Sequence, residues 1–215
     1  KVLSYAATHR PARVVTDTET VTATLVMMGI SPFFRVFGPQ PTTAQRLAAH
    51  PEALDGLKEV IQRAHRGANF ALGFAVHRMD PDAPVIHEAA LLHDFAEMLL
   101  WCHAPSLALR IRQAQRADPT LRSAAIQQEV LGIHLADLQQ ALMKAWRLPE
   151  LLIRISDDHH ADRASVRNVL LAVRLARHTA GGWDNAAIPD DVADIAALLN
   201  LSAGAALHLV RSIEA

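Results

Sequence analysis

Residues 89–101 read AALLHDFAEMLLW, and the reading of this stretch decides the fold. Leu91, Leu92, Phe95, Met98 and Leu99 recur at helical spacing, so one face is apolar and wide enough to be buried. A single helix is expected, running to about His103. Into it the sequence sets His93 and Asp94, an imidazole beside a carboxylate. A buried carboxylate without a partner is very costly, so Asp94 requires a metal ion, an arginine or a hydrogen-bonding network.

Further helices are predicted on both sides. The pattern Leu54, Leu57, Ile61, Ala64, Ala68, Leu72, Val76 supports one long helix over 52–79, ended by Asp80-Pro81-Asp82. Towards the N-terminus, 1–10 reads as a short helix stopped by Pro11. Asp17 or Thr18 is expected to cap a helix through Ile30. Ser31-Pro32 opens an apolar turn over 33–37, and Thr42 or Thr43 starts another helix. Towards the C-terminus, Pro105 opens a helix to about Ala117, and Ser123–Leu131 is closed by Gly132. His134–Trp146 follows, then a helix from Leu148-Pro149 to His159 or His160. Helices over 165–180, 191–199 and 203–213 complete the chain, with Asp190 and Ser202 as the last two caps.

No segment shows sustained strand alternation, so an all-α domain is expected, with a smaller N-terminal lobe before about residue 42. The 215 residues, 51% apolar and 20% charged, are enough for one sizeable core. A net charge of -1 gives no general pull towards nucleic acid or an anionic membrane. No apolar run reaches membrane-spanning length. A single cysteine, Cys102, rules out an intramolecular disulfide and suits a reducing, cytoplasmic setting. The chain opens on Lys1 within a predicted helix, so the sequence reads as beginning partway into a longer polypeptide.

Histidines and carboxylates sit on several predicted helices: His65, His93 with Asp94, His134, and His159 with His160. Imidazole and carboxylate together suit a divalent metal such as Mn, Fe or Zn. Metal ions held there would polarise a phosphate and lower the pKa of a bound water. Each residue also has a plainer reading. His93 and Asp94 serve equally as a hydrogen-bonded core pair, and His65 as a solvated helix residue. His134 serves as a helix start, and His159 or His160 as a partner for a helix C-terminus.

The order His, His-Asp, His, His-His resembles the HD superfamily of helical metal-dependent phosphohydrolases. Closer still is the HDOD branch, the HD-related output domains of bacterial signalling. The resemblance is carried by AALLHDFAEMLL, by EVLGIHLADLQQALMKAWRLPELLIRISDDHH and by LLAVRLARHTA, and extends to KVLSYAATHR and TVTATLVMMGISPFFRVF. It implies an HD-superfamily helical bundle, with 1–41 a partial N-terminal helical lobe and 42–215 the HD-like core. It also implies His65, His93, Asp94, His134, His159 and His160 as vestigial or candidate metal ligands.

Two positions depart from the pattern of active relatives. There the HD pair continues with Gly and Lys; here those positions hold Ala96 and Glu97. A final metal-binding Asp is replaced by Arg177, a permanent cation that repels a metal ion. Arg177 is therefore expected to pair with Asp94, Glu97 or both as a structural clasp. The function expected is a non-catalytic signalling output or scaffold domain, without cofactor, that binds a signalling protein partner or a nucleotide ligand. The alternative is a metal-dependent phosphodiesterase or phosphatase acting on a nucleotide or cyclic dinucleotide. No P-loop, GxGxxG or nucleophile elbow appears. The arginines lack the interleaved aromatics of a nucleic-acid surface.

Overall fold

The structure, a computed structural model, describes residues 1–9, 18–118 and 120–214. Among them it is all-α, with fourteen α-helices and one 3-10 turn and no strand. Pro11 and Asp17, two of the N-terminal punctuation residues, lie outside the described residues.

The N-terminal helices are α1 (Val2–Thr8), α2 (Val21–Met28), α3 (Ile30–Phe37) and α4 (Thr43–Arg46). Thr20, not Thr18, caps α2, its hydroxyl accepting from the Ala23 amide at 3.2 Å. Gly29, at φ +77°, closes α2 and allows α3 to begin at once. The apolar turn expected over 33–37 is thus a helix, because Pro32 falls in its first turn, where no amide is required. Thr42 and Gln45 form a reciprocal capping box on the short α4.

Helix α5 (Pro51–His77) is the spine, about 40 Å long at 1.5 Å per residue. Its buried residues Leu57, Val60, Ala64, Ala68, Ala71 and Ala75 form one stripe. Against it lie α6 (Ala83–Leu91) and α12 (Ala164–His178). Phe70, Phe74, Ile86, Met143, Leu175 and Ile195 are fully buried in the main core, which α10 (Leu135–Ala145), α11 (Glu150–Ile155) and α13 (Ile188–Leu199) help to close. Helix α14 (Ala203–Ile213) packs on α13 and α5, with Ser202 capping it. A second, smaller core of Leu47, Ala53, Leu57, Val60, Trp101 and Ala108 joins α5 to α7 (Phe95–His103) and α8 (Pro105–Ala117). Helix α9 (Ser123–Leu131) lies on α8.

Two sequence expectations are corrected. The stretch 89–101 is not one helix: α6 ends at Leu91 and α7 starts at Phe95, with a tight turn over 92–94. The amides of His93 and Phe95 donate to Ala90 and Leu92 carbonyls at 3.3 and 3.1 Å, three residues back. The apolar spacing is shared by both helices, so it conceals the break. Likewise the helix from Pro149 stops at Ile155, and His159 and His160 fall in a separate 3-10 turn, Asp158–His160. Among the described residues, no single helix is long and apolar enough to cross a membrane.

Candidate functional site

The turn at 92–94 sets His93 and Asp94 at the floor of a cleft of about 670 Å³. Residues of α5, α7, α8, α9, α10, the 3-10 turn and α12 line it. Gly56 fixes that floor: a Cβ there would lie 2.6 Å from the Trp101 ring, so only glycine lets the indole seat on α5. Trp101 is itself buried, and the Arg112 guanidinium sits 5.8 Å from the centroid of its ring.

Asp94 is the N-cap of α7, but its carboxylate does not cap. It is diverted to α5, where Arg63 Nε donates to Oδ2 at 3.0 Å and Arg63 Nη2 stands 2.9 Å from the same oxygen. Nη2 also donates to Glu97 Oε2 at 2.7 Å. Arg177 Nη2 reaches Asp94 Oδ1 at 3.3 Å, with its side chain 52% exposed. The expected clasp is therefore redistributed. Arg177 contacts Asp94 alone, while Arg63, which sequence reasoning did not single out, takes both carboxylates. The signal for Arg63 was present: it interrupts the buried stripe Gly56, Val60, Gly67, Phe70 of α5 at the matching spacing.

His93 is held at both ring nitrogens, Nδ1 lying 3.2 Å from Asp94 Oδ1 and Nε2 3.3 Å from Asp158 Oδ1. Burial opposes its charge, but hydrogen bonds to Asp158 and Asp94 outweigh it and push its pKa up to about 9. Both nitrogens then donate. Burial likewise opposes the Asp94 carboxylate, yet the His93 hydrogen bond, with Arg177 and Arg63 beside it, holds its pKa well below the usual carboxylate range. Asp158, like Arg63, was not anticipated, because nothing in an Asp-Asp doublet marks which carboxylate turns inward.

The remaining expected ligands are dispersed. His134 occupies the N-cap position of α10 on the cleft wall without a side-chain cap bond, its buried Nδ1 lacking a partner among the described residues. His159 stands at the cleft rim, 79% exposed, with Nε2 3.8 Å from Asp137. His160 is turned to Asp157 at 3.8 Å and does not line the cleft. His65 is exposed and also does not line it, because it lies on the far side of α5 from Arg63.

This donor set does not fit a divalent metal. Three carboxylates, Asp94, Glu97 and Asp158, are engaged by the guanidiniums of Arg63 and Arg177 and by the His93 ring. Both ring nitrogens of His93 are taken up by carboxylates, Asp94 Oδ1 at 3.2 Å and Asp158 Oδ1 at 3.3 Å, so neither points freely into the cleft. The Asp94 oxygens already accept from two guanidiniums. Among the described residues, no group of three or more His, Cys, Asp or Glu is placed to hold a metal ion.

Comparison with known proteins agrees with this architecture. The chain is similar to the crystal structure of an HDOD domain protein with unknown function from Geobacter sulfurreducens. The TM-score is 0.56 at 13% identity, over 99% of this chain and 80% of that one, which is a likeness of fold. No curated protein matches the chain. The family model for the HDOD domain matches residues 13–162, a span that takes in His93, Asp94, His134 and Asp158 but ends before Arg177. By that match, the chain belongs to the HDOD domain family.

Proposed function

We propose that the chain is a non-catalytic signal-transduction domain of the output or scaffold type, cytoplasmic, acting by binding a protein partner and a small ligand rather than by hydrolysis. One observation carries the reading: two guanidiniums, from Arg63 and Arg177, engage the carboxylate of Asp94. In a metal-dependent hydrolase that carboxylate faces a cation that must also bind water and phosphate. A guanidinium neutralises the carboxylate equally well but activates no water. The cleft itself persists, large enough for a small molecule. Val26, Ile30 and Phe34 of α2 and α3 remain largely exposed, the kind of apolar surface that protein contacts use.

The alternative, a phosphodiesterase or phosphatase, would require Arg63 and Arg177 to leave Asp94 and the His93 ring to be released from Asp94 and Asp158. Turnover of bis(p-nitrophenyl) phosphate and of a cyclic dinucleotide, with manganese or iron added, tests the choice. No activity above that of the His93→Ala variant is expected. Metal-dependent turnover that the His93→Ala substitution abolishes would overturn the reading.

A further inference from the structure

Beside His93, where α10 faces the turn from Ser156 to His159, lies a cavity of about 20 Å³. Gln140 and Ser156 line it, together with His93, Asp157 and Asp158. Two polar atoms of these lining residues, Gln140 Oε1 and Ser156 Oγ, are buried and have no hydrogen-bond partner among the described residues. Ser156 as a whole is only 3% exposed. Leaving a buried carbonyl or hydroxyl unpaired is costly, so a polar cavity that such atoms line is suited to a guest.

The orientation of the Gln140 amide is fixed from its other end. Its nitrogen donates to the Ser156 carbonyl at 2.7 Å and to the Ile153 carbonyl at 3.4 Å, so the oxygen is the atom left over. The remaining polar groups around the cavity have partners. His93 Nε2 and Asp158 Oδ1 meet at 3.3 Å, and Asp157 Oδ1 accepts from the His159 amide at 3.2 Å. The Ser156 amide donates to the Leu152 carbonyl at 3.0 Å. The two atoms left without partners carry no formal charge. A carboxamide oxygen only accepts, whereas a serine hydroxyl both donates and accepts. The guest that matches them is small and neutral, with a proton to donate and a lone pair to accept. A space of about 10–15 Å³ suffices for one water molecule, and a buried water makes two to four hydrogen bonds.

We propose that this cavity binds a single internal water molecule, which donates to Gln140 Oε1 and accepts from Ser156 Oγ. Such a water ties α10 to Ser156, the residue that ends α11 two positions before Asp158. Asp158 in turn holds the ring of His93. The water is thereby a positioning element: it links the α10 wall of the cleft to the turn that fixes His93 on the floor. His93, Ala136 and Asp158 line both the cavity and the cleft, so the two spaces are separated by the residues that the water helps to set.

The test combines crystallography of the whole chain, which places internal waters, with oxygen-17 relaxation dispersion of the solvent, which counts long-lived ones. A density peak within hydrogen-bond reach of both Gln140 Oε1 and Ser156 Oγ is expected, with no anomalous scattering when sodium in the crystal is exchanged for rubidium. Ser156→Ala removes the hydroxyl but keeps the carbonyl that holds the Gln140 amide. In that variant the peak is expected to be lost and the solvent dispersion to fall by the amplitude of one water. A cavity without density would overturn the proposal, as would a Ser156 hydroxyl turned onto the Leu152 carbonyl. A peak that rubidium replaces would mark a cation site instead and would overturn it too. So would an undiminished water count in Ser156→Ala. The measurements on the native chain decide the matter even where the variant fails to fold.

Discussion

Arg63 on α5 and Asp94 at the start of α7 are joined by two contacts to one oxygen, Nε at 3.0 Å and Nη2 at 2.9 Å, with both side chains largely buried. The same Nη2 holds Glu97 at 2.7 Å. One guanidinium therefore ties the turn over 92–94 and the first turn of α7 to the spine of the bundle. Arg177 adds a longer contact from a half-exposed position.

Burial ranks the two arginines. Replacing Arg63 with Met leaves Glu97 without its guanidinium and buried Asp94 with only His93 and the longer Arg177 contact, and is expected to destabilise the fold by about 3–5 kcal/mol. Arg177→Met removes a solvent-screened partner and is expected to cost about 0–1 kcal/mol. Urea unfolding of the two variants checks this ordering, and the reverse order would place the clasp on Arg177.

His93 gives stability a pH dependence on the alkaline side. Its pKa is raised from 6.5 to about 9 in the folded chain. The folded state therefore binds more protons than the unfolded state between those values, and stability falls as the pH rises. The contribution is full below about pH 6.5 and is lost as the pH climbs through about 9. Asp94 acts with the opposite sense: its pKa is lowered from 3.8, so its contribution is present above that value and fades as the pH falls. Unfolding free energy measured from pH 6 to 10 is expected to decline in the native chain, and His93→Gln is expected to flatten the decline.

How far the sequence revealed this site depends on which signal is followed. The apolar spacing of α5 and α12 shows in the sequence because burial imposes a 3.6-residue period. The break at 92–94 does not show, since α6 and α7 carry the same period and the turn is stabilised by tertiary ionic contacts. The motif around His93 and Asp94 lies on the lining of the cleft. The order of the histidines placed His65 there as well, although Arg63, on the opposite side of α5, is the residue that faces it. Asp158 was hidden because the helix from Pro149 was expected to continue, whereas Ser156 and Asp157 break it and bring the carboxylate to His93.

Gly56 is expected to be intolerant of a side chain. Although alanine favours helices, a Cβ at this position meets the Trp101 ring at 2.6 Å. Gly56→Ala is expected to destabilise by about 1–3 kcal/mol, as overpacking does. It is also expected to shift Trp101 fluorescence, because the indole must leave its seat. A more stable variant with unchanged emission would contradict this packing.

The most direct measurement is the number of metal ions retained per chain after equilibration with excess Mn²⁺, Fe²⁺ or Zn²⁺ and gel filtration, read by elemental analysis. With Arg63 and Arg177 holding Asp94, the native chain is expected to retain far less than one ion, and Asp94→Asn is expected to change nothing. Retention of one or more ions per chain, lost in His93→Ala, would contradict the replacement of a metal centre by arginines.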